Sequence, residues 1–172
     1  MKKAIILCGV PGSGKSTLRK KIDLPDAFVY STDDYIESVA IKSGKTYNDV
    51  FETAISDATK ENDRLVDDAI ASGQNIIWDQ TNVSSKKRRK ILNRLQGYED
   101  VECHFIRLPD PGHFDDMVSF RNRLAAREGK QVPSHVMKFM IDNYQEPMLE
   151  EGYTKLVAYN IWGEKIHEQR NG

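Results

Sequence analysis

Residues 9–16, Gly9-Val10-Pro11-Gly12-Ser13-Gly14-Lys15-Ser16, fit the spacing G-x-x-x-x-G-K-[ST]. Glycines at these places let successive backbone amides turn inward on an anion. The helix that such a motif opens aims its positive end at the same point. Lys15 then reaches the β- and γ-phosphates, and the Ser16 hydroxyl ligates Mg²⁺. The pattern implies a nucleoside triphosphate. It does not say what is done with it, because switches, motors, binding modules and small-substrate kinases all use this loop. A GTPase would add a base-reading N/T-K-x-D segment, which is absent, and a motor ATPase would need more chain.

Three acids stand where an α/β enzyme would use them. Asp33 and Asp34 follow the apolar run Ala27–Thr32, and residues beyond the carboxyl ends of strands face the ligand in open α/β sheets. A carboxylate there can take the proton of an attacking hydroxyl while the phosphate loop holds the donor in line. The competing reading is a helix cap, since Ser31, Thr32, Asp33 and Asp34 all favour helix starts. Asp79 ends Ile76-Ile77-Trp78, and an apolar strand ending in Asp is one way such enzymes hold Mg²⁺. Gln80-Thr81-Asn82 add three hydrogen-bonding side chains at the same rim, or else form an ordinary turn.

Among the cations, Arg121, Arg123 and Arg127 lie on one predicted helix, with Arg123 and Arg127 four apart on one face. An arginine on a mobile segment can close over a triphosphate and neutralise charge on the transferred group. Gly129 as a hinge and Pro133 as a restart make residues 121–133 a candidate lid. The block Lys86-Lys87-Arg88-Arg89-Lys90 points all round a helix and is expected to be solvated surface, with phosphates of a polynucleotide as an alternative contact. Cys8 and Cys103 sit in apolar runs and are expected to be buried, unpaired thiols. The four histidines show no metal-ligand spacing.

These residues need a scaffold of strands and helices in alternation. Strands are predicted at 3–8, 27–32, 75–79, 101–108 and 155–161. Helices are predicted from Ser16, over 33–43, over 46–72 with apolar residues at three- and four-residue steps, over 84–95, over 114–128 and from Pro133. The residues after Ile161 are polar and expected to fray. Such alternation implies parallel strands joined by right-handed crossovers, with helices on both faces.

The 172 residues suffice for one domain over 1–172. Hydrophobic residues at 39% and charged residues at 30% exclude a disordered or collagen-like chain. A net charge of −1 argues against indiscriminate binding to nucleic acid. The apolar run after Met1-Lys2-Lys3 is too short for a secretory signal, and a soluble, cytoplasmic protein is expected.

Taken together, Gly9–Ser16, Ser31-Thr32-Asp33-Asp34-Tyr35, Asp79-Gln80-Thr81-Asn82, Arg121-Asn122…Arg127…Val132-Pro133 and Glu146-Pro147…Glu151-Gly152 resemble the kinase domain of bacteriophage-type polynucleotide 5′-hydroxyl kinases and their AAA-like zeta-toxin and nucleotide-kinase relatives. The resemblance runs from about Lys2 to Tyr159. It implies a P-loop kinase fold of five parallel strands in the order 2-3-1-4-5 with a helical lid, and ATP with Mg²⁺. Gly12, Ser13, Gly14, Lys15, Ser16, Thr17 and Arg121 would bind the nucleotide, Thr17 near the α-phosphate, and Ser16 and Asp79 would serve the metal. Asp33 would be the general base, Asp79 would help arrange the acceptor, and Arg127 would clamp the donor phosphates from the lid. The implied acceptor is a nucleic-acid hydroxyl, such as the 5′ end of DNA or RNA. Alternatives are a hydroxymethylated base within DNA, as in phage DNA modification, and a small nucleotide or metabolite. A nucleotide-binding partner subunit without turnover is the non-enzyme alternative. The chain departs from the family at Ile36, where the end-healing kinases carry an arginine that grips the substrate phosphate. It also lacks their phosphatase domain, so 3′-end repair is not expected.

Overall fold

A computed structural model describes residues 1–172. Lys3–Cys8 forms β1 at the centre of a single sheet, flanked by Ile76–Asp79 (β3) and Asp100–Ile106 (β4). Phe28–Tyr30 (β2) pairs outside β3, and Lys155–Tyr159 (β5) outside β4, all in parallel. The five strands take the order expected from the sequence.

A sixth strand corrects that expectation. Lys165–Arg170 (β6) runs antiparallel along β5, so the sheet is 2-3-1-4-5-6 and mostly parallel. The segment does not fray. Its sequence, KIHEQR, has no apolar face, and most of its residues are exposed, so hydrophobic periodicity is silent about it. Main-chain pairing and a tight turn hold it instead. Asn160 accepts from the amides of Trp162 and Glu164, and Gly163 takes φ +81°. A short, charged edge strand of this kind also discourages edge-to-edge association.

Alternate residues of the central strands point to opposite faces and both faces are buried. Ala4, Ile6 and Cys8 pack with Trp78, Cys103 and Phe105 under Tyr47–Ser72 (α3), through Val66 and Ala69, and under Ser85–Arg94 (α4), through Ile91 and the C-cap residue Leu95. Ile5, Leu7, Ile77 and Ile106 face Leu18 of Lys15–Lys20 (α1), Phe120 of Phe114–Ala125 (α5) and Met137 of Ser134–Asp142 (α6). Thr32–Ser43 (α2) packs on the first half of α3 through Ile36, Ala40, Val50, Ala54 and Ala58. Cys8 and Cys103 are buried and free, as expected. No helix is long and apolar enough to cross a membrane.

Local chemistry sets the element ends. Thr46 and Asp49 form a reciprocal capping box at the start of α3, and Gly44 and Gly73 end α2 and α3 in the left-handed region. The helix expected to reach residue 128 stops at Ala125, so the lid is two helices joined by an irregular segment, 126–133.

The basic block on α4 needs a second correction. Lys86, Lys87, Arg89 and Lys90 are exposed, but Arg88 has 0% exposure. Its spacing of three and seven residues from Ile91 and Leu95 puts it on the buried face of the helix, a signal that the run of five cations masks. The selection is made by Glu151, a distant residue that supplies a carboxylate at the point where α4 meets the core.

Candidate active site

The carboxyl ends of β1, β2 and β3 lie side by side, and each delivers part of the site. Beyond β1, Gly12 and Gly14 have φ of +78° and +108°, which side chains rarely adopt. A Cβ at Gly12 would come within 2.3 Å of Leu124 on α5, so the loop and the lid already touch. Ser13 is buried, with its hydroxyl donating to the Val10 carbonyl at 2.7 Å. Ser16 and Thr17 are exposed on the first turn of α1. The two positive-φ glycines and the free helix start form a backbone cradle that fits an anion.

β3 delivers Asp79, which is buried. Lys15 Nζ lies 2.8 Å from its Oδ1, and Arg19 Nη1 lies 2.8 Å from its Oδ2. Arg19 also reaches Asp34, at 3.0 Å, and so ties the acids beyond β2 and β3 to α1. Burial works against the Arg19 charge, but Asp34 and Asp79 outweigh it and hold its pKa above the ordinary value. Arg19 escaped the sequence reading. The signal available was its four-residue spacing from Lys15, which puts both cations on one face of α1.

β2 delivers Ser31–Asp34. Ser31 caps α2 by accepting from the Asp34 amide at 3.2 Å, so the capping role belongs to Ser31 and leaves both aspartates free for other partners. Asp33 Oδ1 accepts from the Tyr47 hydroxyl at 2.6 Å, and its Oδ2 lies 3.2 Å from Lys130 Nζ. Burial pushes the Asp33 carboxyl up. The Tyr47 hydrogen bond and the ammonium groups of Lys130 and Lys15 overcome this and leave it below the ordinary aspartate value. The same contact pushes the Tyr47 phenol far up, after burial. Gln80 Nε2 donates to Thr32 Oγ1 at 2.9 Å and joins the rims of β2 and β3. Tyr47 carries no sequence signal, since only the α2–α3 packing brings it to Asp33.

The lid covers this crevice. Arg123 Nη1 donates to the Ile161 carbonyl at 2.7 Å and to the Ser13 carbonyl at 3.3 Å, and its guanidinium stacks over Trp162 at 5.3 Å. Arg127 Nη1 would lie 3.6 Å from a Cβ at Gly12. Arg121 is exposed and lies on the wall of a cavity of about 660 Å³ between α5 and α6 that Leu124, Arg127 and Lys130 also line. The connecting segment docks on α3: Asn48 donates to the Gln131 carbonyl and accepts from its amide, both at 2.8 Å. Lys130 reaches Glu37 as well as Asp33. The structure thus brings together Gly12–Ser16, Asp33, Asp79 and Arg127, adds Arg19, Tyr47, Arg123 and Lys130, and places Arg121 on the cavity wall that it shares with Arg127.

Ser16 offers one hydroxyl and Asp79 one carboxylate at the cradle. No cluster of three or more His, Cys, Asp or Glu side chains forms a metal cage. This donor set fits Mg²⁺, which is held through few protein groups together with substrate phosphates.

Solved structures share this architecture. One, from the PezAT chromosomal toxin–antitoxin system of Streptococcus pneumoniae, has a TM-score of 0.65 at 16% identity, covering 98% of this chain and 71% of that one. A gluconokinase from Sinorhizobium meliloti 1021 has a TM-score of 0.56 at 17% identity, covering 93% and 83%. A sugar kinase from Janibacter sp. HTCC2649 has a TM-score of 0.55 at 15% identity, covering 94% and 87%. At these identities the likeness concerns the fold. No curated protein matches the chain in sequence. The family model described as AAA domain (AAA_33) matches residues 5–147, most of the chain, and with its phosphate loop, parallel sheet and lid the protein belongs to that family and has the P-loop kinase fold.

Proposed function

We propose that this protein is a phosphotransferase that moves the γ-phosphoryl group of ATP to a hydroxyl held at Asp33. The observation that carries the reading is the crevice itself. The phosphate loop, with Lys15, and the Asp33 carboxylate open on it together, and the lid supplies Arg127 and Lys130 to the same place.

The residues divide the work. Backbone amides of Gly12–Lys15 and the Lys15 ammonium hold the donor phosphates, with Thr17 near the α-phosphate. Ser16 and Asp79 would hold Mg²⁺, which when bound neutralises phosphate charge and orients the terminal group. For Asp79 to serve it, the Lys15 contact must yield to phosphate. Arg127, and Arg121 if the lid closes further, stabilise charge on the transferred group. Asp33 accepts the acceptor's proton as the new O–P bond forms and the bond to the leaving ADP breaks. A carboxylate below its ordinary pKa is a weak base, which suits a loose transition state where the proton leaves late.

For the acceptor, the surroundings of Asp33 favour a small polyhydroxyl molecule such as a sugar or nucleotide. Ile36, at the place of the family's phosphate-gripping arginine, is fully buried between α2 and α3. The cation at Asp33 is Lys130, which Glu37 also engages. Two similar structures are named as a gluconokinase and a sugar kinase. A nucleic-acid 5′ hydroxyl is the second reading, favoured by the exposed Lys86, Lys87, Arg89 and Lys90, which begin three residues past the Asp79–Val83 rim.

Transfer of labelled γ-phosphate to a panel of sugars, nucleosides, sugar nucleotides, 5′-hydroxyl oligonucleotides and hydroxymethylated DNA tests both. Label on small acceptors is expected. Label only on 5′-hydroxyl oligonucleotides, falling with salt, selects the second reading; label only on hydroxymethylated DNA selects a modified base as acceptor. ATP binding with no transfer at all removes the enzyme.

A further inference from the structure

Arg88 is the largest fully buried side chain of the protein, and neither the nucleotide nor the acceptor accounts for it. Its guanidinium forms a fork on Glu151, with Nε to Oε2 at 2.9 Å and Nη2 to Oε1 at 2.8 Å. The remaining arm, Nη1, donates to the Asn82 carbonyl at 2.9 Å. Glu151 is itself fixed, accepting from the Met148 amide at 3.1 Å and the Tyr153 hydroxyl at 3.4 Å.

Asn82 is an unusual recipient. Its φ is +49°, a left-handed backbone in a residue that is not glycine. Both of its ends are used. Its side chain donates to the Leu7 carbonyl of β1 at 2.7 Å, and its carbonyl accepts from Arg88 and from the Cys8 thiol, at 3.1 Å. The adjacent Thr81 carbonyl accepts from the amide of Gly9, the first residue of the phosphate loop, at 2.9 Å. The turn carrying Glu151, helix α4, the rim beyond β3 and the start of the phosphate loop are therefore joined in one chain of contacts.

We propose that Arg88 and Glu151 are a positioning pair: by fixing the Asn82 carbonyl they hold the Asp79–Asn82 rim in register with the phosphate loop. A buried ion pair is poor at stabilising a fold, because desolvation offsets the attraction. What an apolar pair of equal volume cannot do is aim a hydrogen bond at one carbonyl, which a planar fork does. The pair touches no reacting atom and acts through Asn82. Its effect on catalysis rests on the kinase reading above, whereas its effect on the loop does not.

The test compares Arg88→Met, Glu151→Leu and the double variant with the parent protein. Each single change strands a buried charge and is expected to lower Tm, and the double is expected to recover it. In the recovered double variant, exchange protection of the Gly9 amide should fall by about tenfold or more while that of the β1 amides Ala4–Leu7 is kept. Its kcat should drop by about 10- to 100-fold, more than KM changes. Parental Gly9 protection in the double variant, or losses that merely follow Tm across the series, overturns the proposal. Should the double variant not fold, Arg88→Lys keeps the charge without the fork: the same loss at Gly9 supports the pair, and unchanged protection overturns it. A parent protein that phosphorylates no acceptor defeats the kinase reading, and Gly9 exchange still decides the role of the pair.

Discussion

At Asp33 both carboxylate oxygens are engaged, one by the Tyr47 hydroxyl and one by Lys130, so an incoming hydroxyl must displace a partner or share an oxygen with it. Asp33→Asn keeps the shape and removes proton acceptance. ATP affinity should stay near the parent's while kcat falls by about 100- to 10,000-fold, as read by equilibrium binding beside labelled transfer. The pH profile has a definite sign. Burial pushes the Asp33 carboxyl up, but Tyr47 from α3, Lys130 from the lid and Lys15 from α1 outweigh it and leave it below the ordinary 3.8, while Glu37 of its own helix engages Lys130. With Asp33 as the proposed base, the acid limb of kcat/KM is expected below 3.8. Lys130→Met removes one of the cations responsible, so the limb should move upward, and a limb that stays in place separates Lys130 from the base. Lys15→Ala should weaken both ATP binding and turnover if Lys15 holds the donor phosphates as proposed; unchanged affinity and turnover would remove it from that role.

The lid is held along its helices, through Phe120 and Met137 in the core, and also at its connecting segment. Asn48 makes two hydrogen bonds to Gln131 from the first turn of α3, and its own amide donates to the Gly129 carbonyl at 3.0 Å. Gly129 itself has φ +65°, and a Cβ there would meet Thr46 at 3.1 Å. Asn48→Ala removes both side-chain contacts at a solvent-exposed site, so Tm should move by no more than about 2–4 °C. The KM for ATP should rise several-fold as Arg123 and Arg127 lose their support, and a KM equal to the parent's would mean that the dock is incidental. Much of this element scale was legible beforehand. Thr46, Gly44 and Gly73 marked the ends of α2 and α3, and the three- and four-residue apolar steps marked α3 itself, since caps and periodicity are local. The end of α5 at Ala125 was not, because nothing at 126–128 is a strong helix breaker.

Across the whole molecule, charge is organised at both ends of the sheet. Opposite the crevice side, Glu102 on β4 is nearly buried among Lys3 at 2.6 Å, His104 at 2.7 Å and Lys155 at 3.0 Å. Burial pushes its carboxyl up, but these partners hold it far below the ordinary 4.5. A carboxyl depressed in the folded state adds stability that is complete above the unfolded value and is lost as pH falls through the folded one. Tm should therefore decline below pH 4.5, and Glu102→Gln should flatten that decline; an unchanged slope would assign the acid sensitivity elsewhere. The strand order was implied by the family resemblance alone, whereas the sequence by itself determined the phosphate loop, the five parallel strands and the strand-end places of Asp33 and Asp79. These depend on short-range chemistry: glycine conformation, apolar runs and the strand-end position of a carboxylate. Tertiary structure alone decided that β6 closes the sheet, that Arg88 meets a carboxylate inside, and that Arg19, Tyr47 and Lys130 complete the crevice. Each of those depends on a partner from a distant segment, whether β5, Glu151, Asp79 or Asp33. Spacing puts Arg19 on the Lys15 face and Arg88 on the Ile91 face, but only the fold supplies the carboxylates that engage them.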